Sequence, residues 1–272
     1  MSQTEQRKPH LSPTQLDMLS KCGEQYRRRY VEGERQPPGM AMLRGTGVHQ
    51  GIELNFRQKI DSRVDLPAKD VIDAAVSGFE SQLKGGYEMN EDEVSRGAAV
   101  VIGETKDTVA RLAELAADEM CPEYQPVLVE QVVRIELAGR HDLLGVIDLA
   151  DDKGRVIDTK TAAKSKSQAD ADGSMQLTAY AAMHKLATGA LPTELLMEVL
   201  VDTKKPKRQT LVTTRGPDDL AALAARIDAA TRVIQAGLFI PAAPGSWFCG
   251  PRWCGYYRDC RFVNSGRAPQ GD

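Results

Sequence analysis

The sequence predicts a mixed α/β fold, with a central sheet flanked by helices and a helical elaboration ahead of it. Three observations predict it. Residues 68–118 alternate helical stretches rich in Ala, Glu and Lys, near residue 126 the pattern turns to β-rich alternation, and from there the order is three strands, a helix, two strands and a helix. At 272 residues, 42% hydrophobic and 5% aromatic, the chain is long enough for one sizeable domain with an elaboration.

Residues 1–11 read as a disordered tail. Ser12-Pro13 then opens a helix, the serine capping and the proline at the first helical position, with Leu16, Leu19 and Tyr26 at helical spacing and Cys22 on the same surface. Pro37-Pro38-Gly39 breaks the chain, and a second helix runs from Gly45 to about Arg57. Strands are expected over 126–137, 143–150 and 155–161, a helix over 174–187, strands over 194–203 and 210–214 across the basic Lys204–Arg208 loop, and a last helix over 217–236.

The first ten residues lack an apolar core, so no signal peptide is expected, and no apolar run approaches the ~20 residues that span a bilayer. The expected location is the cytoplasm. A net charge of −3 gives no global sign of a nucleic-acid binder. Positive charge is nevertheless clustered at Arg27-Arg28-Arg29, at Lys160, Lys164 and Lys166, and at Lys204-Lys205 with Lys207-Arg208. These clusters suit either a local basic channel or ordinary solvated faces. Five cysteines in a reducing compartment point to metal or cluster ligation rather than disulfides.

The most informative segment is Gly145 to Lys160. Asp148 and Asp158 each interrupt an apolar strand, where an unpartnered carboxylate is costly and calls for a cation. Asp158 and Lys160, two apart on a strand, share a face. A three-residue loop, Asp152-Lys153-Gly154, sets Asp148 opposite Asp158 and puts the glycine where a left-handed backbone is required. A four-residue loop would send the two aspartates to opposite faces. Two carboxylates and a lysine at one point can hold a divalent ion against a phosphate and orient the attacking water. The same spacing also suits a structural Asp–Lys ion pair on a surface hairpin.

Asp148 followed by Asp158-x-Lys160 resembles the signature of the PD-(D/E)xK nucleases, and the surrounding pieces resemble their RecB-like branch, which includes CRISPR-associated adaptation nucleases and phage exonucleases. Leu11-Ser12-Pro13-Thr14 with Cys22, Tyr26 and Tyr30 is similar to the branch's N-terminal helix. Gly45-Thr-Gly-Val-His49 is similar to its metal-binding histidine motif, Gln176-x-x-x-Tyr180 to the helical motif after the lysine, and Cys249, Cys254 and Cys260 to its C-terminal cysteine cluster. The resemblance spans residues 11 to about 262. It implies a restriction-endonuclease-like core over 126–240, an N-terminal helical region over 12–125 carrying Cys22 and His49, a cysteine segment over 241–263 packed on the N-terminal helix, and a second tail over 264–272.

Carried over, the resemblance makes His49, Asp148, Asp158 and the Thr159 carbonyl ligands of Mg²⁺ or Mn²⁺, and Lys160 the catalytic lysine. Gln176 and Tyr180, one helical turn apart, would position DNA or the lysine. Glu130 is a lesser candidate, equally readable as an exposed strand residue. No role falls to His10, His141 or His184, and Cys121 reads as a buried thiol. Cys22, Cys249, Cys254 and Cys260 would hold a four-iron four-sulfur cluster that staples the two ends of the chain. The C-x4-C gap, where many relatives have two residues between, leaves zinc as the alternative. Trp247, Trp253, Tyr256 and Tyr257 around the cluster could stack on unpaired bases, but their simpler role is to wrap the cluster.

The expected function is a metal-dependent DNA exonuclease acting on single strands or duplex ends in recombination, repair or phage DNA processing. A CRISPR-adaptation end-trimming nuclease and a catalytically silent DNA-binding or assembly module are the alternatives, with a recombination or CRISPR-adaptation protein as possible partner. The sequence has no Gly-x-x-x-x-Gly-Lys-Ser/Thr phosphate loop.

Overall fold

A computed structural model describes residues 9–264. The two expected tails fall largely outside the described residues. The exception is His10–Leu11, which forms a short strand, β1, paired in parallel with Asp142 and Leu143. Leu11 is fully buried there, and a residue that contributes apolar area to a core does not belong to a tail. No helix among the described residues is long and apolar enough to cross a membrane.

The chain divides into two compact units, one of Pro37–Ile135 with Leu144–Leu223, the other of Met1–Gln36, Glu136–Leu143 and Ala224–Asp272. In the smaller unit, helix α1 (Pro13–Lys21) begins as expected: Ser12 caps it, Gln15 returns the bond to the cap, and proline occupies its first turn. A short helix α2 (Gly23–Tyr26) follows and runs on as a wide turn over Arg27–Val31. Gly23 lies so close to the Ile240 backbone that a Cβ would stand 2.6 Å from its nitrogen.

The larger unit begins with three long helices, α3 (Met40–Ser62), α4 (Ala68–Leu83) and, after the short α5 (Glu91–Arg96), α6 (Ala98–Leu115). They pack on one another, and Met40, Leu43, Val48, Phe56, Phe79 and Leu112 belong to one buried cluster. Burial of Met40 and Leu43 explains why α3 starts five residues before the expected Gly45. Glycines allow the close approach of α3 and α4. A Cβ on Gly47 would stand 2.9 Å from the Ala75 carbonyl oxygen, and one on Gly51 would stand 2.5 Å from that of Val71.

The sheet follows: β2 (Pro126–Ile135), β3 (Asp142–Asp151), β4 (Val156–Ala162), then α7 (Gln168–Asp172) and α8 (Met175–Thr188), β5 (Leu195–Val201), β6 (Lys207–Thr213), α9 (Pro217–Gln235) and α10 (Arg261–Asn264). The order is β3-β4-β5-β6 with β2 also on β3, and the sheet is mixed: β4 and β5 are parallel, β3/β4 and β5/β6 antiparallel. All seven residues of β5 are buried, as a central strand requires. Strand β6 begins at Lys207 rather than at the expected 210 because Arg208 is drawn inward. Its guanidinium bonds the fully buried Glu198 carboxylate at 2.6 and 2.9 Å.

Candidate active site

The β3–β4 hairpin closes in the expected register. Leu149 faces Ile157 and Ala150 faces Val156, so the same pairing sets Asp148 opposite Asp158 and Asp151 opposite Arg155. The loop is Asp152-Lys153-Gly154, and Gly154 has φ +74°. Asp151 fixes it from within: one carboxylate oxygen accepts from the Lys153 and Arg155 N–H groups at 3.1 and 2.9 Å, the other from Arg155 Nε at 2.7 Å.

One pair further along, the strands part. Val156 N–H donates to Glu194 O at 3.0 Å on the β5 side, so by alternation Ile157 and Thr159 turn their N–H and C=O toward β3. The β3–β4 ladder nevertheless ends at Leu149 and Ile157. Thr159 N–H donates instead to Asp148 Oδ2 at 3.3 Å, and its carbonyl accepts from His49 Nε2 at 2.7 Å. Because a carbonyl can only accept, Nε2 carries the proton, and Nδ1 faces Asp148 Oδ2 at 3.9 Å. The parted ladder therefore frees a backbone carbonyl, beside a histidine and an aspartate, toward an open cleft of about 490 Å³ that His49, Glu53, Glu130, Asp148, Thr159 and Lys160 line.

Asp158 is fully buried. Its Oδ1 accepts from Lys160 Nζ at 2.8 Å, while Oδ2 has no hydrogen-bond partner. Burial raises its pKa against the pull of the Lys160 ammonium, and the Asp148 charge raises it further. Lys160 Nζ also donates to Gln176 Oε1 at 2.8 Å, Gln176 Nε2 to the Tyr180 hydroxyl at 2.7 Å, and that hydroxyl to Asp148 Oδ1 at 3.0 Å. The two α8 residues, one turn apart, thus link the lysine on one strand to the aspartate on the other. Burial and the two aspartates raise the Tyr180 pKa, which keeps the phenol a donor.

Glu130, not singled out above the level of an exposed strand residue, is half-buried at this cleft. Its backbone takes a left-handed φ of +47°, a conformation a non-glycine residue adopts at a cost. Burial, then the charges of Asp148 and Glu53, push its carboxyl up to about 7. Glu53 was missed by the sequence reading, and its signal was the i+4 spacing from His49.

The donor set suits a hard divalent cation: carboxylates, a carbonyl and an imidazole, with more negative than positive charge and one buried carboxylate oxygen unsatisfied. Among the described residues, no three His, Cys, Asp or Glu side chains stand ready to hold an ion in the arrangement seen. The reason is visible in the bonds, since the His49 proton points at Thr159 and Asp158 Oδ1 is held by Lys160.

In the smaller unit all the cysteines are free, and Cys249 and Cys254 lie near enough to Cys22 and Cys260 to feel their charge. Burial first, and the neighbouring sulfurs next, raise both thiols. Tyr256 is buried and anchors the segment: its hydroxyl donates to the Glu34 carbonyl, and the Arg28 guanidinium lies over its ring at 4.7 Å. Trp247 and Trp253 do not wrap the thiols as expected, being 70% and 58% exposed. Three arginines of the expected basic clusters are neutralised in place. Arg27 pairs with Glu24 and Arg28 with Glu34, while Arg208 pairs with Glu198. His184, with no partner evident in sequence, bonds the Ala190 carbonyl through Nδ1 at 3.0 Å, and Cys121 is the buried thiol expected, pushed up to about 12 by burial.

No protein of curated function matches the sequence. Among solved structures, a protein described as a "putative exonuclease" from Eubacterium rectale superposes with a TM-score of 0.54 at 11% identity, over 100% of this chain and 96% of its own, a likeness of fold. A second, SSO0001, covers 78% of this chain and 96% of its own at 16% identity, with a TM-score of 0.36, too low to support an argument. The model of the PD-(D/E)XK nuclease superfamily matches residues 10–261. With that match spanning nearly the whole sequence, the chain belongs to the PD-(D/E)XK nuclease superfamily.

Proposed function

We propose that this chain is a DNA exonuclease dependent on Mg²⁺ or Mn²⁺, acting on single strands or duplex ends in recombination, repair or phage DNA processing. The observation that carries the reading is the buried Asp158, with one oxygen on Lys160 and the other unpartnered, opposite an Asp148 held by Tyr180. His49, Asp148, Asp158 and the Thr159 carbonyl are the proposed ligands. A divalent ion held by them would supply positive charge against the scissile phosphate and would make water a better nucleophile. Lys160 presents its ammonium to the phosphate and the attacking water, and Gln176 fixes where that ammonium points. Tyr180 holds Asp148 in place with a hydroxyl that stays protonated.

We assign Cys22, Cys249, Cys254 and Cys260 to a four-iron four-sulfur cluster, with zinc as the alternative occupant. The gathering of the four thiols in one unit is what supports this assignment, and among the described residues no three of them stand in a metal-holding arrangement.

The test of the nuclease is Lys160→Ala beside wild type on end-labelled single- and double-stranded DNA with Mn²⁺. The expected loss of cleavage is at least about a hundredfold, since one preorganised charge is removed, with folding and DNA binding retained. Equal digestion by both proteins would sink the assignment.

A further inference from the structure

Not all of the clustered positive charge is neutralised. Over residues 160–167 and 202–208 the charged side chains are Lys160, Lys164, Lys166, Lys204, Lys205, Lys207 and Arg208 against one acid, Asp202. Lys160 is held by Asp158 and Arg208 by Glu198, while Asp202 is taken by Arg44 at 3.0 Å and Arg111 at 3.5 Å. The other five lysines are exposed, and among the described residues none of them forms an ion pair. Asp170 feels the charge of Lys166, but its Oδ2 is held by the Ser167 N–H and hydroxyl at 2.7 and 2.8 Å.

The sheet brings these lysines together on the side of Lys160. Lys160 pairs with Val199 and Val199 with Gln209; one step on, Ala162 pairs with Val201 and Val201 with Lys207. Paired residues share a face and alternate residues return to it, so Lys207 and Gln209 lie on the face of Lys160, two strands or about 10 Å across. Gln209 grips the backbone of Lys166 from both sides, its Oε1 accepting from the N–H at 2.9 Å and its Nε2 donating to the C=O at 2.8 Å. The chain after β4 is thereby drawn across to β6, beside Lys207. Thr161 lines the active-site cleft, and three residues reach at most about 11 Å, so Lys164 stands that close to it. The Lys204-Lys205 turn leaves the same end of the sheet, where the Asp202 N–H donates to the Ala162 carbonyl at 2.8 Å.

Unpaired cations that begin beside a phosphodiester-cutting cleft match a phosphate backbone. Neither lysine segment holds an aromatic residue, so an unpaired base finds nothing there to stack on. A duplex turns its bases inward and presents one phosphate charge per ~1.7 Å of axis, which is what a surface of lysines alone can bind.

We propose that Lys164, Lys166, Lys204, Lys205 and Lys207 form a track for the phosphate backbone of duplex DNA outside the active-site cleft. The track rests on the nuclease reading for its choice of DNA, and it deepens that reading by making the duplex the form bound.

The experiment follows binding of the full chain, without divalent ion, to a labelled blunt duplex and to one of its strands, by anisotropy over a series of salt concentrations. For the wild type on the duplex, log K should fall against log salt with a slope of about 4–5 or steeper, as five phosphate contacts require. Lys204→Gln, Lys205→Gln and Lys207→Gln combined should weaken duplex binding roughly ten- to a hundredfold near about 0.1 M salt and lower the slope by about 2–3. Lys164→Gln with Lys166→Gln should lower it by about 2. Lys69→Gln, Lys84→Gln and Lys106→Gln, on and beside α4 and on α6, change the net charge as much as the triple variant and should leave the slope in place. Arginine at the five track positions keeps the charge and should keep the slope.

A wild-type slope well short of five contacts overturns the track without any variant. So does a loss that the control variant matches, or one that falls on the single strand and spares the duplex. Duplex binding untouched by the lysine changes also overturns it, and leaves the surface to an acidic protein. A chain that cleaves DNA while its lysine variants bind duplex as the wild type does loses the track and keeps the nuclease, whereas lysine-dependent duplex binding without cleavage does the reverse.

Discussion

At the scale of single residues, the site is held together by groups that are poorly satisfied. Asp158 leaves a buried oxygen unbonded, and Glu130 adds a strained backbone and a carboxyl pushed up to about 7 by burial, Asp148 and Glu53. In the unfolded chain Glu130 ionises near 4.5, so between that pH and about 7 the fold holds its proton more tightly. Its contribution to stability is fully present below about 4.5 and is lost as pH rises through about 7. Replacing it with a neutral isostere removes that loss. Glu130→Gln should therefore melt higher than wild type at pH 8 without divalent ions, and within error of it near pH 4.5. Calorimetry at the two pH values checks this, and a difference that does not grow with pH would refute it. Asp148, Asp158 and Lys160 were legible in the sequence because charges inside apolar strands stand out. Glu130 was not, since an acid flanked by Val129 and Gln131 on an alternating strand looks like any outward residue, and only the left-handed turn of its backbone brings it to the cleft.

At the scale of elements, the position of His49 depends on how closely α3 can approach its neighbours. Gly47 and Gly51 bring α3 against α4, and Gly45 faces β4, where a Cβ would stand 3.3 Å from Thr161 Oγ1. The sequence puts Gly45 at the first position of this helix and Gly47 in its first turn. In the structure they lie inside a 23-residue helix, where glycine costs about 1 kcal/mol unless packing returns it. Gly51→Ala should destabilise the chain by about 1–3 kcal/mol, because the new methyl meets backbone that cannot yield. Gly103→Ala is the control. It lies in α6 with nothing near its Cβ and should stabilise by about 0.5–1 kcal/mol. Denaturant midpoints of the two variants should move in opposite directions, and a shared direction would show that contact with α4 is not the cause. The hairpin register was readable in advance because a glycine marked the loop and a one-residue slip would have inverted both faces. The parting of the ladder at Thr159 was not, because it depends on His49, a residue far off in sequence.

At the scale of the whole molecule, the chain folds as two units whose sequence segments interleave, and no pattern of local periodicity reports that. The larger unit has its own apolar core from Met40 to Leu200. The smaller one gathers both ends of the chain, with Cys22 near the start and Cys249, Cys254 and Cys260 near the end. A bound cluster or ion shared by those thiols would close most of the chain into one loop and contribute stability where the ends meet. Its removal should therefore be felt locally. After metal stripping, or in Cys254→Ser, hydrogen exchange should speed up in α1 and in the segment around Tyr256, while the amides of α3, α4 and α6 keep their protection. Iron with acid-labile sulfide, or stoichiometric zinc, in the protein as purified identifies the occupant. Exchange that rises equally in both units would mean that the thiols support the fold as a whole, and unchanged exchange would mean that they hold nothing.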